Sequence, residues 1–119
     1  MRVKEWMSAS PTTTGPKTSV SEARELMRRK VIRHLLVTEG ERLDYLLTKL
    51  AVGDVMTKVV ITVEPELPIE EAARLMLEHR IGALPAVSDG RLVGILTETD
   101  LVRAFVYSQS AIVPATARG

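Results

Sequence analysis

The stretch "RIGALPAVSDGRLVGILTETDLVRAF", residues 80–105, decides the reading of the fold. "ALPAV" (83–87) is an apolar run of strand length, and Arg91–Leu96 is a second. Between them "SDG" predicts a hairpin turn, because Asp89-Gly90 can take the positive φ angles such turns need. The second strand runs into a helix beginning near Thr97 that presents Leu101, Val102, Phe105 and Val106. Thr97 is placed as an N-cap with Asp100 at the third helical position, the spacing of a capping box.

Upstream, Ile69, Ala72, Leu75 and Met76 fall on one helical face, and Pro68 suits a first helical turn. Further back, an extended stretch surrounds Thr62 and a short segment ends in Met56. The order is β-α-β-β-α. Such a unit buries too little to stand alone and needs a partner layer.

The partner is in the same chain. A shift of 49 residues aligns Val3–Leu43 with Val52–Leu92 without a gap, and twelve of the 41 pairs are identical. They include Met7/Met56, Ala23/Ala72, Leu26/Leu75, Met27/Met76, Ile32/Ile81, Leu35/Leu84 and Leu43/Leu92. A register kept across two helices and several strands marks an internal duplication. In unit one, Ser19 and Glu22 form a capping box, and Val20, Ala23, Leu26, Met27 and Val31 share a helical face before the strand "HLLV" (34–37). The Met7/Met56 pair is read as core packing. The fold class is therefore mixed α/β (α+β), with two tandem repeats packed as a pseudo-twofold pair: residues 1–51, residues 52–107 and a polar tail, 108–119.

Unit one breaks the pattern. After Leu43 only "DYLLTKLA" (44–51) remains before unit two, too little for a strand, a turn and a helix. Tyr45–Thr48 could match Gly94–Thr97, with the last helix deleted. Alternatively a segment is skipped near 43–44, and "YLLTKLA" is a helix leading into "VGDVM". The second reading is preferred, because losing a core helix should be costly. A Cα spacing far above the usual ~3.8 Å near Leu43–Asp44 would mark it.

Bulk composition narrows function. The chain of 119 residues is 45% apolar and 26% charged with net charge +1, so no strong field selects nucleic acid or a membrane. Four aromatic residues leave little for base stacking. Cysteine is absent, which removes disulfides, thiolate chemistry and Cys-based zinc sites. No apolar run approaches a membrane span and "MRVKEWMSAS" has no signal-peptide core, so a cytoplasmic location is expected. No nucleophile–base pair suggests catalysis, and no cofactor is expected to be required.

Residues 52–105, with the "DVMT" start, "HRIGALPAV" and "DGRLVGILTETDL", resemble a cystathionine-β-synthase (CBS) domain over its full length. "VKEWMS" and "SVSEARELMRRKVIRHLLV" resemble the first half of a second copy, so residues 3–107 resemble a tandem pair, or Bateman module. The resemblance implies a cleft between the copies. Ligand-binding members usually hold an adenine nucleotide there, sometimes S-adenosylmethionine. It further implies a sensor without enzymatic activity, a homodimer through the helices of the pair, and an unidentified regulated protein.

Carried over residue by residue, the resemblance implies one complete site. Unit two supplies Thr97, Thr99 and Asp100, with Gly82 and Ala83. Unit one supplies Ser10, Pro11 and Thr12, with Ile32, Arg33 and His34. For Asp100, the cap reading needs no ligand. A carboxylate can also accept the two adjacent hydroxyls of a ribose, and the resemblance favours that contact. Arg33 is either a phosphate partner or a solvated surface arginine. His34 reads as a packed strand residue rather than a metal ligand, since no second ligand stands at metal spacing. A mirrored site would use Lys58, Val60, Ile61 and Ile81, but Ala51 stands where its Asp should be. The competing function is a structural or dimerisation module with no nucleotide. A nucleic-acid accessory role is a weaker third, which the near-neutral charge argues against.

Overall fold

The computed structural model describes residues 1–40, 42–50 and 53–112, and the side chains up to residue 109. The elements are α1 (Val3–Trp6), β1 (Ser8–Ala9), β2 (Thr13–Thr14), α2 (Val20–Lys30), β3 (His34–Glu39), β4 (Arg42–Leu50), β5 (Gly53–Lys58), α3 (Ile69–His79), β6 (Ala83–Ser88), β7 (Arg91–Thr97) and α4 (Glu98–Ile112). They form two sheets, ordered β1-β7-β6 and β2-β3-β4-β5.

Unit two follows its sequence closely. Ile69, Ala72 and Met76 bury one face of α3. The helix stops at Arg80, whose φ of 54° is left-handed and whose N–H reaches the Met76 carbonyl. Between β6 and β7, Asp89 and Gly90 take φ of 51° and 77°, the two positive values that a two-residue hairpin turn demands. Unit one starts α2 at Ser19, whose hydroxyl accepts from the Glu22 N–H at 3.1 Å. Ala23 and Met27 are buried as expected, but Val20 is exposed. Val31 lies past the helix as its left-handed cap, 88% exposed, and is no part of the core.

The segments that open the two repeats change places. β1 pairs with β7 of unit two, at Ser8↔Ile95 and Ala9↔Gly94. β5 pairs with β4 of unit one, at Thr57↔Leu46 and Lys58↔Tyr45. The two registers are related by the same 49-residue shift as the sequences. Each repeat therefore completes the other's sheet. The N-terminal segment is tied further to unit two by Val3 N–H to the Leu67 carbonyl and Ile69 N–H to the Met1 carbonyl, both 2.9 Å. β5 is tied to unit one by Arg24 Nε to Asp54 Oδ2 at 2.8 Å, with the Asp54 side chain almost buried. A hairpin in water is marginal alone, and the exchanged strands protect one edge of each sheet. The repeat boundary at residues 51–52 lies outside the described residues.

Among the described residues, three clusters make the core. Val3, Val63, Ala72, Met76, Leu84, Ala86 and Leu96 pack under α3. Ala23, Met27, Leu35 and Leu47 pack under α2. Leu36, Ala83 and Ile95, flanked by Leu43, Leu46 and Leu92, lie between the two sheets and join the repeats.

The expected helix over "YLLTKLA" is a correction. Residues 42–50 form β4, which passes through Leu43 and Asp44 and pairs on both edges, with a local register shift opposite Val37/Thr38. The physical reason is burial on both faces. Leu47 faces α2 while Leu46 faces the second sheet, so the apolar run carries no strand-like alternation. Tyr45–Thr48 matches Gly94–Thr97, and the described part of unit one has no counterpart of α4. The Met pair splits accordingly. Met7 packs into the core and touches Gly94, whereas Met56 is 59% exposed, which corrects its reading as core. α4 continues to Ile112, so residues 108–112 of the expected tail are helical, and residues 113–119 lie outside the described residues.

Candidate functional site

Where the two sheets part, a cleft of about 890 Å³ opens between the repeats. That is within the range of small-molecule sites, about 300–1,000 Å³. From unit one, Ser10, Pro11, Thr12, Ile32, Arg33 and His34 line it. From unit two come Gly82, Ala83, Thr97 and Thr99. The residues of the mirrored set, Lys58, Val60, Ile61 and Ile81, line the same cleft, so the two expected sites are continuous.

Local structure explains how these residues arrive. Ser10 has a φ of 50°, a left-handed kink that turns the chain out of β1 towards Pro11 and Thr12. After α2 and α3, left-handed caps at Val31 and Arg80 turn the chain into β3 and β6, placing Arg33 and Gly82 at equivalent strand entries. The equivalence extends to one backbone bond. Lys49 N–H donates to the Arg33 carbonyl at 2.7 Å, and Glu98 N–H donates to the Gly82 carbonyl at 3.1 Å.

Asp100 does not line the cleft. It is 4% exposed, and its Oδ2 accepts from the Thr97 N–H at 2.8 Å and the Thr97 hydroxyl at 3.1 Å. The hydroxyl in turn accepts from the Asp100 N–H at 3.4 Å, and Arg103 stands 3.6 Å from Oδ1. This is a reciprocal cap, and the carboxylate is turned into the helix start rather than into the cleft. Its work is to hold the Thr97–Thr99 corner in place. Asp100→Ala is expected to lose about 1.5 kcal/mol, from the cap and a charge-assisted bond to the Thr97 N–H. Asp100→Asn keeps an acceptor and should lose less. Urea midpoints of the two variants check the ordering.

Two charged residues at the cleft have no place in the site expected from the sequence. Glu98 begins α4, and its carboxylate lies over Gly82: a Cβ there would meet Glu98 Oε1 at 3.1 Å and His34 Cε1 at 3.6 Å. Arg80, the cap of α3, is the other. The 49-residue shift could have located Arg80 as the equivalent of Val31, beside the chosen Ile81.

His34 is a packed strand residue, with Nδ1 3.2 Å from the Thr48 hydroxyl. Among the described residues no group of three or more His, Cys, Asp or Glu is placed to hold a metal ion. Burial pushes the His34 pKa below 6.5 and neighbouring Arg33 adds to this, while Glu98 opposes it. The unfolded chain thus binds this proton more readily than the folded one. The stability contributed is present above pH 6.5 and is lost as pH falls through the window below it. Melting temperatures between about pH 7.5 and 5.5 should fall less in His34→Gln than in the parent. Equal slopes would remove the burial argument.

The CBS domain model matches residues 3–49 and 52–107. Inosine-5′-monophosphate dehydrogenase of Korarchaeum cryptofilum is 37% identical over 111 residues, covering 84% of the chain but 23% of that enzyme. The CBS domain-containing protein YhcV of Bacillus subtilis is 49% identical over 51 residues, covering 43% of the chain and 36% of that protein. The chain thus spans about a quarter to a third of the curated relatives it matches. Among solved structures, the CBS domain pair of protein MJ0100 in complex with 5′-methylthioadenosine and S-adenosyl-L-methionine superimposes with a TM-score of 0.82 at 27% identity, covering 91% of this chain and 98% of that one. CBSX2 in complex with AMP gives 0.79 at 29% identity, with 91% and 98% covered.

Proposed function

The chain belongs to the CBS domain family as a tandem pair, and we propose that it is a regulatory module without catalytic activity that senses an adenosine-type ligand between its repeats. The observation that carries the reading is a single cleft to which both repeats contribute, Arg33 and His34 on one side and Gly82, Thr97 and Thr99 on the other. A ligand that touches both repeats must bind differently when their packing changes, which is what a sensor requires. The solved relatives with AMP, or with 5′-methylthioadenosine and S-adenosyl-L-methionine, support the choice of ligand class. Within this reading, Thr99 offers a hydroxyl at the helix start, the Thr97 hydroxyl being taken up by Asp100, and Arg33 offers a charged fork to phosphate. Asp100 acts through the corner it caps.

The output surface is proposed to be helical. Val102, Phe105 and Val106 leave an exposed apolar face on α4, next to the edge-on contact of Trp6 with Tyr107. A homodimer through this face, or a regulated protein docked on it, would read the packing of the repeats. The same face favours the second reading, a dimerisation module with no nucleotide.

A thermal-shift screen with AMP, ADP, ATP, NAD and S-adenosylmethionine separates the two. A ligand at a hundred times its Kd stabilises by about 2.7 kcal/mol, roughly ten degrees for a domain of this size. At least one of these compounds should produce such a rise, reduced in Arg33→Gln. No rise with any of them at millimolar concentration favours the dimerisation module.

A further inference from the structure

We infer that the cleft selects among adenosine compounds by charge, taking an anionic nucleotide and rejecting the cationic sulfonium and the neutral thioether. The inference rests on the adenosine reading above and goes further by choosing between the ligand kinds held by the solved relatives. Arg33, Lys58 and Arg80 all line the cleft, and Glu98 is the one carboxylate among the described lining residues. Among the described residues none of these three cations has a carboxylate within salt-bridge distance.

The arithmetic of charge supports this. The whole chain carries a net charge of +1, whereas Arg33, Lys58 and Arg80 against Glu98 give the cleft +2. The lining of the cleft is thus more positive than the chain as a whole. The three cations come from separate elements: Arg33 at the entry to β3, Lys58 at the end of β5, and Arg80 at the cap of α3. Phosphate oxygens reaching them would form charge-assisted bonds to both repeats at once. A sulfonium would instead add a positive charge among three that are already unpaired.

Titration calorimetry with adenosine, 5′-methylthioadenosine, S-adenosylmethionine, AMP, ADP and tripolyphosphate tests this on the full chain. AMP and ADP should bind at least about tenfold more tightly than the three uncharged or cationic compounds. Raising the salt from 0.05 to 0.3 M should narrow that gap, because exposed charges are screened. In the double variant Arg33→Gln/Arg80→Gln the gap should fall to about threefold or less with an unchanged melting temperature, since both residues are exposed and unpaired. If S-adenosylmethionine or adenosine binds as tightly as AMP, charge selection is overturned and the adenosine reading stands. If tripolyphosphate binds but no nucleoside contributes, charge selection stands and the adenosine reading fails. If nothing binds at millimolar concentration, both are overturned.

Discussion

Leu36→Ala is expected to destabilise the protein by about 3 kcal/mol, within the range for a buried Leu cut to Ala. Leu36 is fully buried on β3 and packs against Ala83 and Ile95, which belong to the other repeat. Its neighbour Leu35 is equally buried but points the opposite way, into the cluster under α2. Leu35→Ala should therefore lose a similar amount without loosening the contact between the repeats. Urea denaturation of both variants provides the comparison. Two further expectations follow from the shared sheets. The parent should unfold in one transition seen alike by all probes, since neither repeat holds a complete sheet alone. Leu36→Ala should weaken ligand binding as well as stability, whereas Leu35→Ala should weaken stability only. Separate transitions for the two repeats in the parent would contradict the exchanged strands.

Gly94→Ala is expected to lose about 2–3 kcal/mol, and Gly94→Val more, because the site has no room for a side chain. A Cβ at Gly94 would lie 2.5 Å from Met7 Sδ, 2.9 Å from Met7 Cγ and 2.9 Å from the Ser8 carbonyl oxygen. The methionine can swing aside, but the carbonyl is backbone paired within the β1–β7 ladder. The added carbon must push β1 away from β7 and so break the exchange between repeats. Hydrogen exchange should show faster loss of protection in the N-terminal segment than in α3. A Gly94→Ala variant with wild-type stability would mean that Met7 and β1 do not sit where they are described.

Most of the architecture was legible because duplication carries register information. The 49-residue shift that aligns Leu35 with Leu84 also relates the strand pairings of β1 and β5. Caps and turns were legible for local reasons, as at Ser19, Thr97 and Asp89-Gly90. The exchange of opening strands was not. Apolar periodicity says which face of a strand is buried and is silent about which edge it pairs with. The strand β4 escapes the periodicity because Leu47 is buried on one face and Leu46 half-buried on the other, and a strand covered on both sides loses its alternation. The argument from the cost of a lost helix failed because β5 takes up the free edge of β4, leaving the exposed Met56 as its trace.

At the cleft, the family pattern located the loop and strand entries from both repeats, since these follow from chain position. It did not foretell that the Asp100 carboxylate would be taken up by Thr97. A cap and a ligand contact use the same residue types at the same spacing, and only the direction of the carboxylate separates them. Glu98 and Arg80 lie inside the quoted stretches "DGRLVGILTETDL" and "HRIGALPAV", but spacing alone gives them no role; they matter through what they face across the cleft.

The central claim is that two repeats of one chain form one ligand site. The most direct test is an amide NMR titration with AMP, followed residue by residue. Resonances of Arg33 and His34 in the first repeat should move together with those of Gly82, Thr97 and Thr99 in the second, along curves described by one dissociation constant. Shifts confined to one repeat, or none at saturating AMP, would contradict it.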